Sequence, residues 1–301
     1  MKKHLLFLLF IIFSECTESN LAFHPGTNTS DGILKLVKNF GGSKNDVAKS
    51  VVSTLDGGFA VLGYTQSIDG DVTDKATEDY DFWMLKFDSE AQLEWNKTYG
   101  GSGDDRGSSI IETSDGGYAL LGYSDSTDGD VSSNNGNRDF WLVKITASGV
   151  LTWQKSFGYE GLDEGVSVIE TSDNHLMLSG VLDVTASGGE GNQGRLYNRH
   201  AGGDYWSIKI TPTGDIVWSR FYGGTFTDSP TGIKETLNDG FISVGGSDSN
   251  DVDISNNKGS YDFWIVKSNL NGDIVWEKSF GGSEIDEARD KIGRASCRER
   301  V

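Results

Sequence analysis

Asp139-Phe140-Trp141-Leu142-Val143-Lys144-Ile145, followed eight residues on by Trp153-Gln154-Lys155-Ser156-Phe157-Gly158, decides the fold because it recurs. Asp81-Phe82-Trp83 leads to Trp95 and Tyr99-Gly100-Gly101. Asp204-Tyr205-Trp206 leads to Trp218 and Tyr222-Gly223-Gly224, and Asp262-Phe263-Trp264 leads to Trp276 and Phe280-Gly281-Gly282. Both tryptophan series step by 58, 65 and 58 residues, and all eight tryptophans of the chain occupy these two positions. A fixed period of this size marks a repeat architecture.

Each repeat offers four strands. In the second they are Ser108 to Thr113, Tyr118 to Tyr123, Phe140 to Ile145 and Val150 to Phe157. Asp115-Gly116-Gly117 and Ala147-Ser148-Gly149 supply short turns, and a long polar loop joins the middle pair. Short β-branched and aromatic runs between Asp-Gly turns favour strands, and no sustained 3.6-residue apolar period predicts a helix. Ile33 to Phe40 matches the fourth strand of a repeat, with Leu36 in the tryptophan place.

Over Gly41 to Gly282 this order resembles kelch repeats: an inner strand, a Gly turn, an apolar strand ending in Gly, a long loop, an aromatic strand and a Trp strand. Kelch closes its second strand with Gly-Gly; only Gly245-Gly246 does so here, while Gly63-Tyr64, Gly122-Tyr123 and Gly180-Val181 keep one glycine. The chain is thus kelch-like, and also resembles uncharacterised repeat proteins of bacterial cell surfaces. The resemblance implies an all-β fold, a β-propeller of four-stranded antiparallel blades with repeat period 58. Four blades are complete, an N-terminal strand closes the ring, and a fifth blade begins at Gly281, so the ring is expected to be truncated.

The two ends read differently. Residues 1–16 have the form of an export signal, with Lys2 and Lys3 before the apolar run Leu5 to Phe13, too short to span a bilayer as a helix. Cys16 at its end resembles a lipoprotein cleavage and lipidation site, although Glu15 departs from the small residue preferred there; an ordinary signal with an incidental cysteine is the other reading. Residues 17–31 form a polar tether, 32–291 the propeller, and 292–301 a non-native tail that resembles translated sequencing adapter. Localisation follows as exported, at the bacterial cell surface or outer membrane, or secreted. Apart from Cys16 and the tail's Cys297 there is no cysteine, so no disulfide can hold the fold.

The net charge of −19 repels nucleic acid and anionic lipid head groups, leaving a lipid on Cys16 as the only route to a membrane. Strand order puts the long second-to-third-strand loops on one face with the loops that join repeats, and that face collects carboxylates. One loop set gives Asp46, Asp104, Asp105, Asp163, Glu164, Asp228, Asp286 and Glu287. The other gives Asp69 and Asp71, Asp125, Asp128 and Asp130, and Asp251 and Asp253. Tight Gly-containing loops of carboxylates suit calcium, the one cofactor suggested, although the order is not that of an EF-hand. Asp and Gly also make turns without any metal.

The third repeat's long loop, Leu182 to Gly203, has seven extra residues and carries Arg195, Tyr197, Arg199 and His200 on the acidic face. A loop that breaks the repeat is a candidate ligand surface, and a neutral insertion is the competing reading. No catalytic constellation stands out. The expected function is a displayed or secreted non-catalytic binding or scaffold propeller whose partner is an extracellular protein or a glycan. The alternative is a glycoside-hydrolase-like carbohydrate-active enzyme or its glycan-binding accessory module, which would need an accessible carboxylate pair. The tryptophans are expected to form two buried layers, one per series.

Overall fold

A computed structural model describes residues 38–192, 200–237, 240–286 and 288. Contacts divide the chain into residues 1–39 and 40–301, and every strand lies in the second unit. The first blade is β1 (Asp46–Ser53), β2 (Phe59–Thr65), β3 (Asp81–Phe87) and β4 (Leu93–Tyr99). The second is β5 (Asp105–Glu112), β6 (Tyr118–Ser124), β7 (Asp139–Ile145) and β8 (Leu151–Phe157). The third is β9 (Glu164–Glu170), β10 (Leu176–Asp183), β11 (Gly203–Ile210) and β12 (Ile216–Tyr222). The fourth is β13 (Asp228–Thr236), β14 (Gly240–Ser247), β15 (Asp262–Ser268) and β16 (Ile274–Phe280). Each blade is an antiparallel meander whose spatial order is its chain order. One single-turn helix, α1 (Val184–Ser187), opens the long loop of the third blade, capped by the Asp183 carboxylate and ended by left-handed Gly188.

First strands of successive blades lie side by side, β1 on β5, β5 on β9 and β9 on β13, so they form the inner side of the arc. Every first strand carries a β-bulge at the same place, after Ala48, Gly107, Gly165 and Pro230. The bulge turns a carbonyl onto the second strand. A Cβ on Gly63, Gly122, Gly180 or Gly245 would stand 1.8, 1.9, 2.0 or 2.1 Å from the carbonyl oxygen of Val47, Arg106, Glu164 or Ser229. That contact demands glycine at this position and leaves the next one free, so Tyr64, Tyr123 and Val181 are tolerated.

The first tryptophan series is buried as expected: Trp83 4 %, Trp141 0 %, Trp206 2 % and Trp264 0 % exposed. Each later indole meets the aromatic of the preceding blade, Trp141 on Phe82 at 4.7 Å, Trp206 on Phe140 at 4.9 Å and Trp264 on Tyr205 at 4.8 Å. The first two pairs are edge-to-face, a favoured geometry for aromatic rings, and the third is tilted. Indole N–H groups donate to the fourth strand thirteen residues on, at Asn96, Gln154 and Glu277. In the third blade that place holds Ser219, and Trp206 donates instead to the Gly191 carbonyl of the long loop at 3.1 Å.

The second series does not form a buried layer. Only Trp218 is buried; Trp95 and Trp153 are half-buried and Trp276 is 41 % exposed. These residues lie on fourth strands, outermost in each sheet, and depend on the next blade for cover. Trp95 meets Tyr118, and Trp218 meets Phe241, of the following blade. Among the described residues Trp276 has no following blade.

The expected closing strand at 33–40 falls largely outside the described residues, and 38–40 form no strand, having no sheet partner among them. Phe40 still takes the repeat's aromatic place, edge-on to Phe87 at 5.2 Å.

Candidate functional site

Long loops and blade-joining loops share one face, and the carboxylates there are first of all fasteners. Three successive amides are taken by three different aspartates in the loops that lead into the first, second and fourth blades. Before the second blade, Gly100, Gly101 and Ser102 donate to Asp130 (3.2 Å), Asp105 (2.7 Å) and Asp128 (2.7 Å). Before the first, Gly41, Gly42 and Ser43 donate to Asp71, Asp46 and Asp69. Before the fourth, Gly223, Gly224 and Thr225 donate to Asp253, Asp228 and Asp251. Asp125 accepts the amide of Asp104. All seven carboxylates considered for calcium therefore hold backbone amides, which satisfies groups that a loop otherwise leaves orphaned. Among the described residues no three His, Cys, Asp or Glu side chains form a group that could hold a metal. An Asp-Gly-Asp turn carries two of each trio, with Gly70 and Gly129 left-handed at φ 67° and 64°; the fourth blade puts Val252 there at φ 59°.

A second carboxylate set opens each third strand. Asp139, Asp204 and Asp262 are fully buried and Asp81 is 8 % exposed, and each has an Oδ1 with no hydrogen-bond partner. Each Oδ1 lies 2.2–2.4 Å from where a Cβ would sit on Gly100, Gly158, Gly223 or Gly281, with a second aspartate, Asp105, Asp163, Asp228 or Asp286, also within reach. A side chain there would collide with both, which fixes the first glycine of the joining loop. Burial pushes Asp139 up to about 6 and Asp163 up to about 7. Burial also lifts Asp81 to about 7, against the Lys75 ammonium 2.9 Å from its Oδ2. Asp204 is raised by burial first, then by Asp228, Asp253 and Asp251.

Asp74, Lys75, Asp81, Thr98, Asp128 and Asp130 line an open cavity of about 370 Å³ between the first two blades. Arg195, Tyr197 and Arg199 lie outside the described residues. His200 is placed inside the fold, 6 % exposed, its Nδ1 2.5 Å from Asp204 and its ring edge-on to Phe221 at 4.8 Å.

Sequence reading missed a cluster on this face's inner side. The Arg106 guanidinium lies over Tyr80 at 4.0 Å and Tyr64 at 5.0 Å, and that of Arg138 over Tyr123 at 4.4 Å. Arg106 donates to both oxygens of Asp104, at 2.6 and 2.9 Å, and Arg138 reaches Glu164 at 2.5 Å and Asp104 at 3.7 Å. Asn45 donates to the Tyr80 hydroxyl. The signal was available: these side chains sit where the repeats differ. The places of Tyr64, Tyr80 and Arg106 at the first junction hold Val181, Gly203 and Ser229 at the third.

No known protein family matches the chain, and no curated protein does. Among solved structures it is similar to a protein of unknown function from Bacteroides caccae, at 11% identity, covering 81% of this chain and 72% of that one with a TM-score of 0.38. The fold stands on its own geometry: four antiparallel four-stranded sheets in a propeller-like all-β repeat.

Proposed function

We propose that the chain is a kelch-like propeller, exported and displayed or secreted, that binds an extracellular partner without chemical turnover. The observation that carries this reading is the employment of the acidic face. Its repeated aspartates are spent on loop amides, which leaves a rigid charged rim rather than reactive groups. A rigid rim on a repeat scaffold suits recognition. The glycoside-hydrolase alternative needs two carboxyl groups that reach a sugar from either side. Asp204 and Asp228, a pair flanking Gly223, are fully buried, which speaks against that use.

A glycan array run beside a hydrolysis assay on a panel of polysaccharides tests the reading. Binding without turnover is expected. Turnover abolished by an acidic-loop substitution would replace this reading with the enzymatic one. Export and anchoring rest on residues 1–16 and Cys16. Cys16→Ala is expected to move the protein from the detergent-soluble membrane fraction to the soluble one. Failure of the wild type to incorporate labelled palmitate would remove the anchor.

A further inference from the structure

We propose that the tyrosine–arginine cluster at the inner side of the first two blade junctions is the recognition centre, and that its ligand is a basic polypeptide segment. This rests on the binding reading and deepens it. The fold does not require the cluster: the third junction is built with Val181, Gly203 and Ser229 in the corresponding places. What the fold does require, the bulge glycines and loop aspartates, recurs in its neighbours unchanged.

Its chemistry is that of a protein hot spot. Tyrosine and arginine dominate such centres because they offer large area and several hydrogen bonds at small entropic cost. The side chains are already held: Arg106 is clamped in two bonds by Asp104 and layered on Tyr64 and Tyr80, so little freedom is lost on binding. They are partly open, with side chains of Arg106 and Arg138 each 30 % exposed. Within the cluster Arg106 and Arg138 pair with Asp104 and Glu164, and Lys49 stands over Tyr64 at 5.8 Å. Asp125 adjoins it through the Asp104 amide and Asp128 holds Ser102 of the same joining loop, both exposed, on a chain of net charge −19. A centre of guanidinium and phenol donors beside exposed carboxylates, on a strongly acidic chain, fits a segment whose middle offers carbonyls to the donors and whose flanks carry lysines or arginines.

The same geometry disfavours a sugar. A guanidinium already covers one face of each of Tyr64, Tyr80 and Tyr123, which reduces the ring area on which a pyranose could stack.

The test pans a displayed random-dodecapeptide library on the wild-type protein and titrates the enriched peptides against Tyr80→Ala and Arg138→Met. Circular dichroism melting confirms that each variant folds, and Lys155→Met, on the opposite face, is the control. Enriched peptides of net positive charge that lose at least tenfold in affinity for either cluster variant, and none for the control, are expected. Basic peptides that bind wild type and cluster variants alike would overturn this site while leaving the binding reading intact. A library that yields no peptide while a glycan array yields a ligand would overturn the polypeptide class. If both are blank, this inference and the binding reading fall together.

Discussion

Replacing Trp141 by alanine separates a structural indole from a binding platform, and its cost can be worked from its surroundings. The side chain is fully buried, meets Phe82 of the preceding blade edge-on at 4.7 Å and donates to Gln154 at 2.9 Å. Burying an indole removes roughly 150–250 Å² from water, about 4–6 kcal/mol at ~25 cal/mol per Å². Partial collapse of the site recovers some of this, and tryptophan-to-alanine changes in cores cost about 3–5 kcal/mol. Trp141 spans a blade interface, where both partners lose contact, so a value near the top of that range is expected. Trp276 is the internal control, at an outer-strand place and 41 % exposed. Its removal is expected to cost no more than about 2 kcal/mol. Urea denaturation followed by far-UV circular dichroism reads both, with the m-value monitored because blades of a repeat protein can uncouple. Equal losses for the two variants, or less than about 2 kcal/mol for Trp141→Ala, would refute the assignment and return the tryptophans to candidate ligand platforms.

Three further outcomes are expected. Asp139 and Asp163 are raised in the folded state to about 6 and about 7, against roughly 4 when unfolded, so the folded state holds extra protons between those values. Their contribution is complete below about pH 4 and is lost as pH rises through about 6 to 7; Asp139→Asn should flatten this decline, gaining about 1–3 kcal/mol at pH 7.5 relative to pH 4.5, and parallel urea profiles for both proteins would contradict it. Val252 holds a left-handed φ of 59° where the first two blades use Gly70 and Gly129, so Val252→Gly should stabilise by about 0.5–1 kcal/mol, the strain released less the extra chain entropy of glycine, and a lowered melting temperature would count against it. Because the loop aspartates hold amides, millimolar calcium should move the melting temperature by less than about 1 °C relative to chelator, whereas a rise of several degrees would restore a calcium site at Asp125, Asp128 and Asp130 by mass action.

The repeat and its strands were legible because burial imposes the same residue at the same place in every copy, and four copies of Asp-aromatic-Trp state it plainly. The second tryptophan series misled because spacing reports equivalence within a blade, while cover comes from the neighbouring blade, which Trp276 lacks among the described residues. The acidic face was placed by strand order alone. What its aspartates do was not legible, since a carboxylate that binds a cation and one that accepts an amide occupy the same Asp-Gly-Asp sequence. His200 read as a surface ligand because a histidine in a loop carries no mark of burial; only the fold shows it lodged against Asp204 and Phe221. The tyrosine–arginine cluster escaped because its members are spread from Tyr64 to Arg138 and meet only when adjacent blades do.

The donor bond of Trp206 ties two departures from the repeat into one event. Other blades meet the indole N–H with a long polar side chain on the fourth strand, but Ser219 is too short to do so, and the extended loop supplies the Gly191 carbonyl instead. Trimming the loop to the length found in its neighbours would strand a buried N–H unless residue 219 became a longer acceptor at the same time. The extended loop therefore serves the packing of its own blade, whatever else it contacts.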